Sequence, residues 1–293
     1  MASPFYLTIK GKFVIVDKEP DGDSVRFIAD DLDLYQELQR NYRIKPSRDR
    51  SVQLRFEGID APEVHYGRYA QPLGDETRDF LLKKMGFAKI KFQGDRVQSA
   101  DPDTISGVIL TQAADVNGRP ISYALIGKNA AQLENGDWTQ VEPELLRQTL
   151  NFLMMAEGRA YYTVYTSTPR SHRQVLREAA LAAREKDLGV WAADSTSIFR
   201  LVDFDSITPP NGQLILPKLF RRCTDYLKAV ADGYSGNLAD WLEGVSLQRS
   251  RNENDAVIIR DRTQVSFSSL IEQYNSQIAF QEDLLDITFV EKT

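Results

Sequence analysis

A chain of 293 residues with a single cysteine and no apolar run approaching the length of a membrane span can bury a sizeable core, but it cannot brace that core with an internal disulfide. Its 36 lysines and arginines against 42 aspartates and glutamates, a net charge of −6, exclude a broadly basic surface, so any attraction to a polyanion must be local. Cys223 fits a reducing cytoplasm, and residues 1–10 lack the basic start and long apolar core of a secretory signal, so a cytoplasmic location is the expectation.

In chain order, residues 13–16 read as a short buried strand that delivers the chain to the tight turn Asp21-Gly22-Asp23-Ser24, and residues 25–28 follow as another strand. Residues 30–50 read as a charged insertion with a short helical pattern at Leu32, Leu34, Tyr35 and Leu38. Then Val52, Leu54 and Phe56 alternate with Gln53, Arg55 and Glu57, the period of a half-buried strand, and Gly58 and Pro62 punctuate its end. A helix is expected over 71–85, with Leu73, Thr77, Phe80, Leu81 and Met85 on one face, followed by a strand over 87–92 and a polar loop over 94–104. Residues 107–110 and 121–126 read as a hairpin whose turn holds Asp115, Asn117, Gly118 and Arg119, and 129–142 as a polar insertion. Leu145, Leu146, Thr149, Leu150 and Leu153 mark a helix that Gly158 can cap, residues 161–165 a ring-rich strand, and residues 170–188 a last helix stopped by Gly189, onto which Trp191 can fold back.

Past Ser195 the character changes. Residues 208–212 form a turn cluster, and Leu216, Phe220, Cys223, Leu227 and Val230 then trace one face of a helix. Trp241 and Leu242 sit in a second helical patch, and residues 257–259 read as a strand. This acidic tail carries no recognisable motif, and its apolar stripe must be covered either by the rest of the chain, the favoured expectation, or by a partner.

At the exit of the Arg55 strand, Asp60 and Glu63 follow the guanidinium onto one open side, with Asp23 in a turn nearby and Arg119 at another turn-to-strand junction. Such a set can hold a hard cation and a phosphate beside an acid able to take a proton from water, which is the requirement of phosphodiester hydrolysis. Each member has a plainer reading alone. Asp-Gly-Asp is usually a hairpin turn, a strand arginine usually sits in a cross-strand ion pair, and Glu63 after proline can simply begin a loop. His65 and His172 read as a loop residue and a helix-start residue, too far apart for a zinc site. Tyr161, Tyr162 and Tyr165 can stack bases, although rings in a barrel strand are at least as often core.

These residues, in this order, resemble the staphylococcal nuclease (thermonuclease) family. Its pattern runs Asp-Gly-Asp-Thr, then Arg-x-x-x-x-Asp-x-Pro-Glu, then Asp-x-Tyr-Gly-Arg, a helix, an aromatic-rich strand and a final helix ending in Gly-x-Trp. They appear here at 21–24, 55–63, 115–119, 161–165 and 178–191, with Ser24 in place of Thr and Asn117 in place of the Tyr that contacts the nucleotide. The resemblance covers about residues 10–195. It implies an α+β chain: an OB-fold β-barrel with helices over 1–200, leaving 205–293 as a small mixed or helical accessory domain. It further implies that Asp23, Asp60 and the Ala61 carbonyl bind Ca²⁺, that Glu63 orients and deprotonates water, and that Arg55 and Arg119 neutralise charge growing on phosphorus. Asp21 would hold a metal-bound water or the turn, and Tyr165 is a candidate substrate contact. DNA or RNA would be cut with little base specificity, leaving 3′-phosphate and 5′-hydroxyl ends. Two alternatives remain open: a barrel of this type that binds nucleic acid or protein without cutting, and an enzyme whose tail docks it on a protein partner.

Overall fold

The computed structural model describes residues 4–248 and 254–291; the first three residues of the N-terminal stretch read above lie outside that range. The first strand, Phe5–Val14, is the spine of the molecule and far longer than the 13–16 segment that the apolar run suggests. It pairs antiparallel with Arg26–Ala29 on one side and Thr104–Ala114 on the other, and at its start also with Trp138–Gln140, which falls inside the expected polar insertion. The sheet order is Val52–Gln53, Arg26–Ala29, Phe5–Val14, Thr104–Ala114, Pro120–Ile126, Arg55–Phe56.

Both ends of that order come from one stretch of chain. Leu54 N–H donates to the Val25 carbonyl (2.9 Å), while Glu57 N–H donates to the Ser122 carbonyl (3.0 Å), so residues 52–57 bridge the two edges and nearly close the sheet into a barrel. The expected single strand is therefore broken into Val52–Gln53, Arg55–Phe56 and Ile59–Asp60, the last paired with Tyr161–Tyr162. The alternation survives the partner switch: Val52, Leu54 and Phe56 are buried, and Gln53 and Arg55 are half-buried. The stretch 94–104 is another departure from expectation. Instead of a loop it supplies Arg96–Asp101, which forms a largely exposed ribbon with Ala88–Gln93 and so lacks the apolar period by which a strand is recognised.

Gly74–Met85, Leu150–Ala156 and Arg170–Arg184 are the helices that flank the barrel. Trp191 does fold back onto the last of these, its ring under the Arg184 guanidinium (5.7 Å) and edge-on to Tyr161 (5.4 Å). The charged insertion is two short 3₁₀ turns, Asp33–Glu37 and Asn41–Arg43, pinned by buried Tyr35 and Leu38 and by Gln39 N–H donating to the Gln112 carbonyl (2.9 Å).

Among the described residues beyond 200 lie the helices Pro217–Ala231 and Leu238–Gln248 and five strands, a mixed region as expected. Two of these strands pair with the preceding chain: Ile287–Phe289 runs parallel to Val164–Tyr165, and Gln277–Phe280 runs antiparallel to Ile198–Arg200. Leu216, Phe220, Cys223 and Leu227 are buried, and Val230, at the end of the stripe, is 40% exposed. The tail thus covers its own apolar face against the body of the protein, and its side chains join the barrel's in one continuous hydrophobic cluster.

One polar group inside the barrel carries a testable consequence. Glu57 should point outward on strand alternation, yet it is buried, accepting from the Tyr6 hydroxyl at 3.2 Å. Burial pushes its carboxyl up to about 8, with the Tyr6 and Thr168 hydrogen bonds opposing the rise. The folded state therefore keeps a proton that the unfolded chain releases, and this group's contribution to stability is full below the ordinary carboxylate range and is lost as pH rises towards about 8. Glu57→Gln retains the hydrogen-bonding shape without the titration. In urea unfolding, its stability relative to wild type should grow between about pH 6 and about pH 8, by roughly 1.4 kcal/mol per pH unit at most. Parallel stability–pH curves for the two proteins would show that Glu57 does not titrate in this range.

Candidate active site

An open cleft of about 1470 Å³ is walled by the turn after the first strand, the exit of the Arg55 strand, the Asp115 turn and the Pro217–Ala231 helix. Asp21, Asp23, Arg55, Asp60, Glu63, Arg119 and Tyr165 all line it, so seven of the eight candidate residues meet there. The eighth, Ala61, is buried, and its amide donates to Asp23 Oδ2 (3.2 Å). That contact ties the Asp23 turn to the strand exit.

The turn itself is close-fitting. Asp21 N–H donates to the Ser24 carbonyl (2.9 Å), and Asp21 Oδ1 accepts from Gly22 N–H (2.7 Å) and, at 3.4 Å, from Val64 N–H. A Cβ on Gly22 would lie 2.5 Å from Thr77 Cγ2 and 2.7 Å from Ala61 Cβ, so this residue must be glycine for the turn to sit between helix and strand exit. Asp21 thereby acts as the bolt that holds Asp23 against residues 61–64.

Across the cleft, Asp115 organises the two arginines. It is 1% exposed, and its Oδ1 accepts from the amides of Asn117 and Arg119, both at 2.9 Å, which shapes the turn. Its Oδ2 receives Arg119 Nη2 at 2.7 Å and lies 4.0 Å from Arg55 Nη1. Gly118, at φ +81°, packs so closely on the Arg43 carbonyl that a Cβ there would lie 2.1 Å from it. Arg55 lies over the Tyr165 ring, 4.7 Å from its centre. Burial works against its charge, but Tyr165, Asp115 and Asp60 outweigh it and keep the guanidinium protonated; burial pushes the Tyr165 hydroxyl up, but Arg55 and Lys218 bring it below the usual tyrosine range.

The acidic side is electrostatically unfinished. Burial first, and then repulsion from Asp60 and Glu63, pushes Asp23 up to about 7; burial, Asp23 and Glu63 hold Asp21 well above the carboxylate range. Glu63 is raised as well, by burial and Asp60, against the pull of Arg221. An all-oxygen donor set whose charges repel one another in low dielectric is what a hard divalent cation would relieve, so these residues fit Ca²⁺. Among the described residues no three His, Cys, Asp or Glu side chains are drawn together as a metal cage. In its place stands a cation of the chain itself. Arg221 donates through Nη2 to Asp60 Oδ2 (2.9 Å) and through Nη1 to Asp60 Oδ1 (3.2 Å) and Glu63 Oε1.

Arg221 lies outside the residues that the sequence pattern singles out, as do its neighbours Lys218 and Arg222, which reach Asp255 at 3.2 and 3.1 Å. The available signal is a cationic stripe, Lys218, Arg221 and Arg222 at helical spacing, within an acidic tail. His65, read as a loop residue, also lines the cleft, whereas His172 is wholly buried between the Tyr123 hydroxyl (3.0 Å) and the Val141 carbonyl (2.9 Å). Tyr161 and Tyr162 are core.

A nearly closed barrel with acids and paired arginines at one mouth defines a staphylococcal nuclease-type domain. Residues 53–193, just under half of the chain, match the family model for staphylococcal nuclease homologues. Asp21 and Asp23 precede the matched span and are brought to it by the sheet. The chain is similar, at 25% identity over 161 residues, to a protein of Arthroderma otae named probable endonuclease LCL3, covering 52% of this chain and 45% of that protein. It is likewise 29% identical over 92 residues to the probable endonuclease lcl3 of Aspergillus niger, covering 30% of this chain and 33% of that protein. The match thus spans less than half the length of either relative.

Proposed function

We propose that this chain is a Ca²⁺-dependent phosphodiesterase that hydrolyses DNA or RNA. The observation that carries this reading is the placement of Asp23, Asp60 and Glu63 opposite a pair of arginines tied together by Asp115, all in one open cleft. Asp23 and Asp60, with the Ala61 carbonyl that the family resemblance implies, would hold the ion. Bound there, Ca²⁺ would supply positive charge to a phosphate oxygen and acidify a water. Glu63 is then the acceptor for the water proton: its carboxylate faces the cleft, and burial raises its basicity. Arg55 and Arg119 take up the charge that grows on the phosphate oxygens, Arg119 nearest the leaving 5′ oxygen. Asp115 and Tyr165 hold the two guanidinium groups in place beforehand. Contacts of this kind grip phosphate and sugar, so little base preference is expected, with 3′-phosphate and 5′-hydroxyl products.

The test is incubation of the purified chain with end-labelled DNA and RNA, in Ca²⁺ and in chelator, beside Asp60→Ala. Cutting is expected in Ca²⁺ alone, with Asp60→Ala inactive but folded by circular dichroism. Undiminished cutting in chelator, or by the variant, would sink the Ca²⁺ mechanism. A second reading, a module that binds nucleic acid without cutting, is favoured by one observation: Arg221 already occupies Asp60 and Glu63. Retention of labelled strand with no product in either condition would support it.

A further inference from the structure

The Pro217–Ala231 helix carries its three cations to two destinations. Lys218 and Arg222 share Asp255, which is 2% exposed, while Arg221 reaches across the cleft to both oxygens of Asp60 and one of Glu63. We propose that Arg221 is a built-in competitor for the divalent cation: it holds the carboxylates that the ion needs, so cation binding and withdrawal of Arg221 are one linked step, and the C-terminal helix sets the cation affinity of the nuclease-type site. This rests on the reading of the cleft as a cation-dependent site.

Three physical arguments carry it. First, the donor set is shared. The fork takes one lone pair on each Asp60 oxygen and one on Glu63, and a divalent ion on the remaining ones would lie within a few ångströms of the guanidinium, where like charges repel. Second, arginine does not lose its proton at working pH, so on its own side the contact is released by a competing cation or by movement, not by loss of the guanidinium proton. Third, movement of the side chain alone is enough. The helix is fixed by buried Leu219, Phe220 and Cys223, by the two bonds to Asp255, and by the Tyr66 hydroxyl donating to Asp225 Oδ2 (2.6 Å); the Arg221 side chain is 24% exposed, along the cleft. While Arg221 is seated, Glu63 is also engaged as a hydrogen-bond acceptor. Its withdrawal would therefore free the ion's ligand and the water's base together.

A purely structural clamp between helix and barrel makes the opposite prediction, because removing a clamp loosens the site and lowers cation affinity. Calcium binding to the full chain is measured by titration calorimetry in wild type, Arg221→Gln, Arg221→Met and Asp60→Ala, with thermal midpoints recorded in Ca²⁺ and in chelator. Both Arg221 variants should bind Ca²⁺ about tenfold or more tightly than wild type, within the ordinary range of coupling between linked sites. Their midpoints should fall in chelator, where Asp60 and Glu63 have lost their counter-ion, and gain more from Ca²⁺ than the wild-type midpoint does. A variant that folds only in Ca²⁺ is the same result in stronger form. Unchanged or weaker binding in folded variants overturns the proposal, and so does failure to fold in both conditions, the mark of a clamp. Asp60→Ala should show no binding heat. The catalytic reading fails separately: tighter Ca²⁺ binding without any cutting of DNA or RNA leaves the competition intact and removes the nuclease, whereas cutting with unchanged Ca²⁺ affinity does the reverse.

Discussion

Arg119→Ala should lower the rate of strand cleavage by about 10²- to 10³-fold, as does loss of other donors aimed at developing negative charge. The geometry makes this arginine more than a surface charge. It is paired with an almost fully buried Asp115 carboxylate, and its turn is held at the cleft by the Asn117 and Arg119 amides donating to that same carboxylate, so little reorganisation is needed when phosphate arrives. Arg55→Ala should cost a similar factor. Both arginines lean on one Asp115, so the double variant should fall short of the product of the two single losses. Single-turnover rates at saturating Ca²⁺ check this, and an Arg119→Ala protein that cuts at the wild-type rate would show that the Asp115 turn does not serve the reaction. Asp115→Ala supplies a further control: it leaves both guanidinium groups present but removes their common anchor, so any loss there measures positioning.

The residues that meet in the cleft were legible in the sequence to the extent that turn chemistry placed them. Asp21-Gly22-Asp23-Ser24 and Asp115 to Arg119 advertise tight turns, and the alternation around Arg55 fixes which side of the chain it leaves. The breaking of that strand was not legible, because a switch of hydrogen-bond partner at Leu54 preserves alternation: the same faces stay in and out while the sheet closes. Of the exposed ribbon, Ala88–Gln93 was legible as a strand, but its partner Arg96–Asp101 was not, for the converse reason: a strand that covers little core needs no apolar period. Glu57 kept the polar side of the alternation in sequence but is buried by a partner, Tyr6, that lies 51 residues away. Arg221 was hardest of all. The cationic stripe Lys218, Arg221 and Arg222 is its one local signal, and that stripe does not tell an arginine that faces solvent from one that spans a cleft to Asp60, 161 residues earlier in the chain.

A chain ending at Ser195 keeps every candidate residue from Asp21 to Tyr165, yet it should fail to accumulate as a stable fold, despite the expectation from sequence that the tail is accessory. Truncation strips the Val164–Tyr165 strand of its parallel partner Ile287–Phe289, and with it the Phe289 ring 5.7 Å from Tyr165 beneath Arg55. The helix Arg170–Arg184 loses its ion pairs from Arg173 to Asp261, Arg177 to Asp286 and Arg184 to Asp283, at 2.7 to 2.8 Å. Those pairs are partly exposed and are each worth about 1 kcal/mol or less. The decisive loss is apolar, because Leu216, Leu219, Phe220, Leu285, Ile287 and Phe289 belong to the same buried cluster as the barrel core. At roughly 1.5–3 kcal/mol for each fully buried side chain, uncovering a few of their barrel-side neighbours matches the ~5–15 kcal/mol net stability of an ordinary domain. The truncated chain should therefore be insoluble, or show no cooperative thermal transition beside the full chain. If instead it melts cooperatively and cuts DNA or RNA, the barrel is self-sufficient, and the shared core and paired strands are the contact between two independent domains.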